Sequence, residues 1–386
     1  MKRLLLYALL CVLPLGGSTL WAQHHRGVKI DFGGYVQTLW QIGNQYDAFT
    51  VGKNVGRYDG KPASRFGIRR GYFSAQGSYR DIAATITVDV GDYGVKAHEA
   101  SITYTPGCSG FFLKAGLQGV RFGNELSLKS SALETFDRPA FLDAMIPGAI
   151  DWGATIGYNT PATSRTRGEV SVSVLSGNGA NKMDKSLPNF SANTTVKHRM
   201  GGSELALGLS AYIGSVEKGE QLFARRYYGA HAALSSRYDG GVFDLRTEVA
   251  FGKQPGTLLA PYVFASKADE IDRGDVLVRP FVGATLFLGN RFAHTPLRLF
   301  ARYTFTEQNR NLKERYLQNQ TYPYNFALEG MKHTATAGTE FYFLRDKLKL
   351  TVAYQFNSTQ EGFNASQLPT FDAGTHLGLV GLQYAF

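Results

Sequence analysis

The last twelve residues, Thr375 to Phe386, alternate strictly and stop on an aromatic carboxy-terminus, with Val380, Leu382, Tyr384 and Phe386 on one face. A soluble sheet avoids leaving such an edge open. A strand that is apolar on one side, aromatic at its end and followed by nothing suits a sheet closed on itself in lipid, where the final strand pairs with the first.

The opposite terminus agrees. Lys2 and Arg3 precede an apolar run from Leu4 to Leu15, and a small-residue stretch leads to Ala22. This pattern predicts a secretory signal peptide over 1–22 and a single mature domain over 23–386. The run is too short to span a bilayer well, and no later segment offers the ~18 uninterrupted apolar residues of a transmembrane helix. Cys11 leaves with the signal, so Cys108 stands alone and no intrachain disulfide is available.

Composition narrows the class further. Hydrophobic residues make up 44% of the chain, yet mean hydropathy is −0.18, so apolar positions are interleaved with polar ones. The 21 tyrosines and 26 phenylalanines suit two interfacial girdles, and the 44 glycines suit turns and tight strand contacts. Losing Lys2 and Arg3 takes the formal charge from +10 to +8. Such a surplus attracts anions, or acidic lipid head groups, without implying nucleic acid.

Period-two alternation marks sixteen segments: 28–42, 64–79, 82–90, 95–105, 111–118, 149–158, 168–176, 193–200, 204–214, 226–236, 241–251, 276–288, 297–306, 331–344, 347–357 and 375–386. Long and short links mostly alternate between them, with 91–94 as a short exception. The even count puts both termini on the periplasmic side. The predicted fold class is therefore all-β, a transmembrane antiparallel barrel in the outer membrane of a Gram-negative bacterium.

Parity sends Lys29, Arg70, Lys114, Lys197, Arg199, Arg246, Arg279, Arg298, Arg302, Lys332, Lys347 and Lys349 inward. Against them stand Asp31, Asp89, Glu99, Asp151, Glu169, Glu204, Asp244, Glu248 and Glu340. The bore is expected to be polar, water-filled and mildly basic. Arg70 can meet a solute ion or pair with Asp89 or Glu99. Arg298 and Arg302 can form a ladder or a solvated wall, and Lys114 can line a narrowing or flank it. Phe281, Phe287 and Phe300 also point inward, which implies a greasy strip or a subunit contact with the parity inverted.

The link from Gly119 to Gly148 is too long for an idle turn. It carries Leu126, Leu128, Leu133, Phe136, Phe141 and Met145 among charges. Those side chains need cover from water, so the loop is expected to fold inward and narrow the bore. In this region the chain resembles the phosphate-selective porins O and P. The matching parts are Phe66-Gly-Ile-Arg-Arg70, Gly116 to Glu125 with Phe122-Gly123, Asp137-Arg138, and Pro147-Gly148 followed by Asp151 and Gly153. The resemblance implies a sixteen-stranded channel, commonly trimeric, whose arginines and lysines pass phosphate or other small anions. It assigns Arg69 and Arg70 as paired strand arginines and Arg138 as the loop arginine. The family tends to have Lys-Val-Pro-Phe-Gly where this chain has Gly119-Val120-Arg121-Phe122-Gly123, and an arginine where this chain has Ile150. Fewer donors at the narrowing mean fewer charge-assisted contacts to a phosphate oxygen, unless Arg121 reaches the same point. Gly381, Tyr384 and Phe386 match the terminal signal read by the barrel-assembly machinery, although Leu379 replaces its usual polar residue.

Two other classes compete with a passive pore. A barrel hydrolase needs clustered His, Ser or carboxylates at one height. Here His98 and Glu99 are expected to face opposite ways, while His231 and Asp244 share the lumen on adjacent strands without an obvious nucleophile. An adhesin would use the outer loops 177–192, 252–275, 307–330 and 358–374. No cofactor is implied, and Gln23-His24-His25 is the one histidine pair with ligand-like spacing.

Overall fold

A computed structural model describes residues 27–44, 49–51, 63–92, 94–107, 109–146, 149–161, 163–177, 179–180, 187–218, 221–255, 278–314 and 330–386. The predicted signal, His24, His25, Cys108 and much of the outer loops 252–275 and 307–330 lie outside the described residues.

Sixteen antiparallel strands close into a barrel. They are Val28–Gly43 (β1), Ala63–Tyr79 (β2), Ile82–Gly91 (β3), Gly94–Tyr104 (β4), Phe111–Gly119 (β5), Ile150–Asn159 (β6), Thr166–Leu175 (β7), Asn189–Met200 (β8) and Ser203–Lys218 (β9). Gln221–Tyr238 (β10), Gly241–Pro255 (β11), Val278–Phe292 (β12), Leu297–Glu307 (β13), Met331–Phe343 (β14), Leu348–Phe363 (β15) and Thr375–Ala385 (β17) complete the wall. A three-residue piece, Pro369–Phe371 (β16), only extends the outer end of β15. Each wall strand pairs with its sequence neighbours, and β17 pairs with β1 from Tyr35↔Ala385 to Gly43↔Leu377. At the seam the Gly34 N–H donates to the Phe386 carbonyl at 3.3 Å and the Phe386 N–H to the Gly34 carbonyl at 3.1 Å. The aromatic terminus is thus built into the closure, with no edge left in hydrocarbon.

The strands run longer than alternation indicates at their outer ends. The loop expected over 177–192 gives way to β8 from Asn189, while β9 and β10 continue until only 219–220 separates them. Above the bilayer both faces of a strand meet water, so the period-two signal that marks a membrane strand fades there.

Outward positions form an apolar belt that includes Ile86, Ile102, Ile156, Leu209 and Tyr354, each more than half exposed. On the lumen side the wall strands bury Ser171, Asn193, Ser210, Thr304 and Thr351. The lumen is not simply polar and wet, however. Two hydrophobic clusters fill part of it, and Phe281, Phe287 and Phe300 belong to them. These three phenylalanines form neither a bare strip nor a subunit contact, but seats for the inward loop.

Two of the three tryptophans, Trp40 and Trp152, stand on the outer face at 43% and 44% exposure. In vesicles carrying brominated acyl chains, most of the intrinsic fluorescence is expected to be quenched. Unchanged emission would show that these faces do not meet lipid.

Candidate pore constriction

The segment between β5 and β6 crosses the lumen and holds one short helix, Ala140–Met145 (α1). Its own apolar side chains drive it there: Phe122, Leu126, Leu133, Phe136, Phe141, Leu142 and Met145 are at most 4% exposed, and only Leu128 of the expected set is half-buried. Each fully buried side chain of this kind is worth about 1.5–3 kcal/mol relative to exposure. Three wall glycines receive its rings. A Cβ on Gly229 would lie 2.9 Å from the Phe122 ring, one on Gly283 2.2 Å from Phe141, and one on Gly381 2.2 Å from Phe136. Gly381, assigned from sequence to the insertion signal, therefore faces inward and seats the loop, whereas Tyr384 and Phe386 are exposed outside.

Polar anchors complete the seat. Glu248 of β11 accepts the Asn124 and Glu125 N–H groups, both at 2.8 Å, and Ser210 accepts the Gly123 N–H at 2.8 Å. Gly123 sits at φ 62°, and a Cβ there would meet the Glu248 carboxylate at 1.8 Å, so glycine is required. Farther along, Arg246 binds Glu125 at 3.0 Å and Glu134 at 2.7 Å, and Arg298 binds Glu134 at 2.8 Å. Arg298 also reaches Asp244 at 2.9 Å, and Lys349 pairs with Glu340 at 2.9 Å while donating to the Leu133 carbonyl at 3.1 Å. Burial alone would raise the Glu134 carboxyl, but Arg246, then Arg298, outweigh it and hold Glu134 below the usual carboxylate range. Asp137 is likewise held down against burial, by Arg69 and then Arg70.

These contacts divide the cations into two kinds. Those paired with carboxylates add little net field to the bore: Arg246, Arg298 and Lys349 as above, Lys114 with Glu99 at 2.6 Å, and Arg121 with Glu169. Arg121 also stacks over Phe112 at 4.7 Å and does not join Arg69, Arg70 and Arg138 in lining the cavity between loop and wall. A second group is held largely by neutral backbone carbonyls. Arg138 donates to the Leu128 carbonyl at 2.8 Å, Arg70 to that of Phe136, and Arg225 to those of Met145 and Gly177. Arg302, 7% exposed, donates to the Asp137 carbonyl at 2.7 Å, so it forms no open ladder with Arg298. Carbonyl partners satisfy a guanidinium without cancelling its charge.

Three of the second group, Arg70, Arg138 and Arg225, gather around a cavity of about 770 Å³ between the loop and the wall. Arg69, Arg70, Lys96, Arg138 and Arg225 line it, against the carboxylates Asp89 and Asp143, with Tyr72 and His98 beside them. Neighbours on a strand normally point apart, yet both Arg69 and Arg70 reach Asp137. A bulge allows this: Gln37 pairs with Arg70 and Thr38 with Ile68, leaving Arg69 as the extra residue. A second bulge, where Thr87 pairs with Glu99 and Val88 with Ala97, leaves His98 extra. It brings Lys96 and His98 to the cavity, and it corrects the expectation that His98 and Glu99 lie on opposite faces. Asp89 and Glu99 are not the partners of Arg70, because Asp137 and the Phe136 carbonyl take that guanidinium. His231 stands opposite Glu248, whereas Asp244 stands opposite Ser235, so the proposed His–Asp pair does not form. Sequence reading missed Arg225, whose strand starts at Gln221 rather than near 226; the doublet Arg225-Arg226 ahead of an alternating run was the available signal.

Three solved structures share this architecture. The outer-membrane channel DcaP of Acinetobacter baumannii is 13% identical with a TM-score of 0.60, over 96% of this chain and 100% of that one. The fold is that of an outer-membrane porin. An anion-selective porin from Comamonas acidovorans is 13% identical with a TM-score of 0.58, over 93% and 100%. OprB of Pseudomonas putida is 11% identical with a TM-score of 0.61, over 93% and 94%. No family model and no curated protein matches the sequence. The likeness thus reaches the porin barrel and not the phosphate-selective family within it. With the apolar belt, it places the chain in the outer membrane of a Gram-negative bacterium.

Replacing Gly283 by valine drives two methyl groups into the Phe141 ring. Overpacking of this kind costs about 1–3 kcal/mol, and lifting α1 relieves it. Larger single-channel conductance is expected from a barrel that still shows its heat-modifiable gel shift. Conductance equal to that of the parent would mean that α1 does not limit the bore.

Proposed function

We propose that this porin passes small hydrophilic solutes passively and favours anions, and that it works as a homotrimer, as the sequence resemblance implies. The reading rests on one observation: the loop and wall bring five cationic side chains to a cavity that holds two carboxylates, and three of the five have backbone carbonyls among their acceptors. Fixed positive charge in a low-dielectric channel raises the local anion concentration without binding any one ion tightly. The residues that carry the field in this reading are Arg70, Lys96, Arg138 and Arg225, while Arg69 is matched by Asp137. Lys114, Arg121 and Arg298 act in the scaffold, since each is matched by a carboxylate.

In planar bilayers under a potassium chloride gradient, the reversal potential is expected to favour chloride. Arg138→Gln with Lys96→Gln weakens that preference, while Arg121→Gln leaves it nearly unchanged. Cation preference in the parent protein would overturn the reading. Phosphate is the finer form of the proposal, supported by Arg69, Arg70 and Arg138 facing one cavity. A phosphate site would show as block of chloride current at low phosphate concentration, and a general anion pore would not.

Acid sharpens the test. Burial, then the neighbouring Asp137 charge, raises the Asp143 carboxyl above the ordinary aspartate value of 3.8. Falling pH therefore neutralises Asp143 before ordinary carboxylates, and the cavity becomes more positive. Chloride preference is expected to rise on acidification toward that value, and Asp143→Asn should show the higher preference already at neutral pH. The depressed Glu134 and Asp137 keep their charge through this window, so the loop stays seated.

A further inference from the structure

The lipid face of the barrel carries one arrangement twice. Between β13 and β14, the Tyr303 hydroxyl bonds His333 Nδ1 at 2.6 Å, and Phe305 stands directly opposite His333 with ring centroids 5.3 Å apart. Between β15 and β17, the Tyr354 hydroxyl bonds His376 Nδ1, and Phe356 stands directly opposite His376 at 5.2 Å. In each copy a Tyr-x-Phe segment faces a histidine across the ladder, near the outer end of its strands. Tyr303 and Tyr354 are 45% and 51% exposed, while Arg302, Thr304, Thr336 and Thr351 of these strands are buried on the lumen side. A groove of about 290 Å³ lies among these strands, floored by Ala301, Ala335 and Ala337 and walled by Leu288, Tyr303 and Tyr354.

Solute passage gives these histidines no role, since neither lines the lumen cavity. A polar ring on a lipid face is costly unless each of its groups finds a partner. In the Nε2–H tautomer the tyrosine hydroxyl donates to Nδ1, and the Nε2 proton then needs an acceptor outside the barrel. A second copy of the chain is a poor source, because the outward belt is dominated by aliphatic and aromatic side chains. A lipid head group at the membrane interface supplies phosphate oxygens directly above an acyl chain. The apolar groove below the two rings matches that second part.

We propose that this face binds one phosphorylated lipid of the outer leaflet, with an acyl chain along the alanine groove and phosphate oxygens accepting from His333 and His376 Nε2.

Native mass spectrometry of the detergent-solubilised full chain, titrated with diphosphoryl lipid A and separately with dioleoylglycerol, tests this. Lipid A is expected to remain bound at concentrations where dioleoylglycerol does not. The double variant His333→Leu, His376→Leu removes the donors, and Ala335→Phe fills the groove. Each is expected to weaken lipid A retention about tenfold or more, the scale of losing a charge-assisted hydrogen bond or its seat. Both changes face lipid, and the heat-modifiable gel shift reports that the barrel still forms. Equal retention by parent and both variants, or equal retention of the two lipids by the parent, overturns the proposal. So does loss of subunit association in Ala335→Phe with lipid A retention intact, which would make the groove a protein contact.

Discussion

Hydrocarbon offers a peptide group no hydrogen-bond partner, and that single restriction organises this molecule. Each strand must be paired on both sides, so the sheet closes, and the closure uses the terminal residue itself through Gly34 and Phe386. Closure then splits every strand into a lipid face and a lumen face. Within the bilayer charge is directed to the lumen, where an ion pair spanning 112 residues of sequence and a lysine–carbonyl contact spanning 216 converge.

The same convergence explains why a basic sequence does not yield a uniformly basic bore. Arg246 and Arg298 meet a loop carboxylate within about 3 Å and bind loop to wall, while Lys114 and Lys349 pair with carboxylates of the wall itself. Other cations are held by carbonyls or crowd together around Asp137. Summing charges along the chain could not make this distinction, because it depends on which oxygen each guanidinium reaches.

Strand number, sidedness and the inward loop were legible in the sequence because each follows from a repeating physical demand. Alternation persists wherever one face meets lipid, and buried apolar side chains such as Phe136 and Phe141 betray a loop that cannot remain in water. What escaped notice breaks the repeat. Two bulges, at Arg69 and His98, reverse parity for the rest of their strands and bring Arg69, Lys96 and His98 into the cavity. The inward phenylalanines Phe281, Phe287 and Phe300 looked anomalous only because parity describes a wall and not what is packed against it. Arg225 was lost with the outer end of β10, which begins at Gln221, ahead of the alternating segment.

The loop seat also carries information about the order of construction. The constriction lies between β5 and β6, yet many of its sockets and anchors belong to β10 through β17: Gly229, Gly283, Lys349, Gly381, and Gln383, whose amide donates to the Ser131 carbonyl 252 residues away. None of these partners exists while only the first third of the wall has been laid down. The complete seat therefore exists only in the closed wall. The cell receives a finished sieve only when the final strand has met the first.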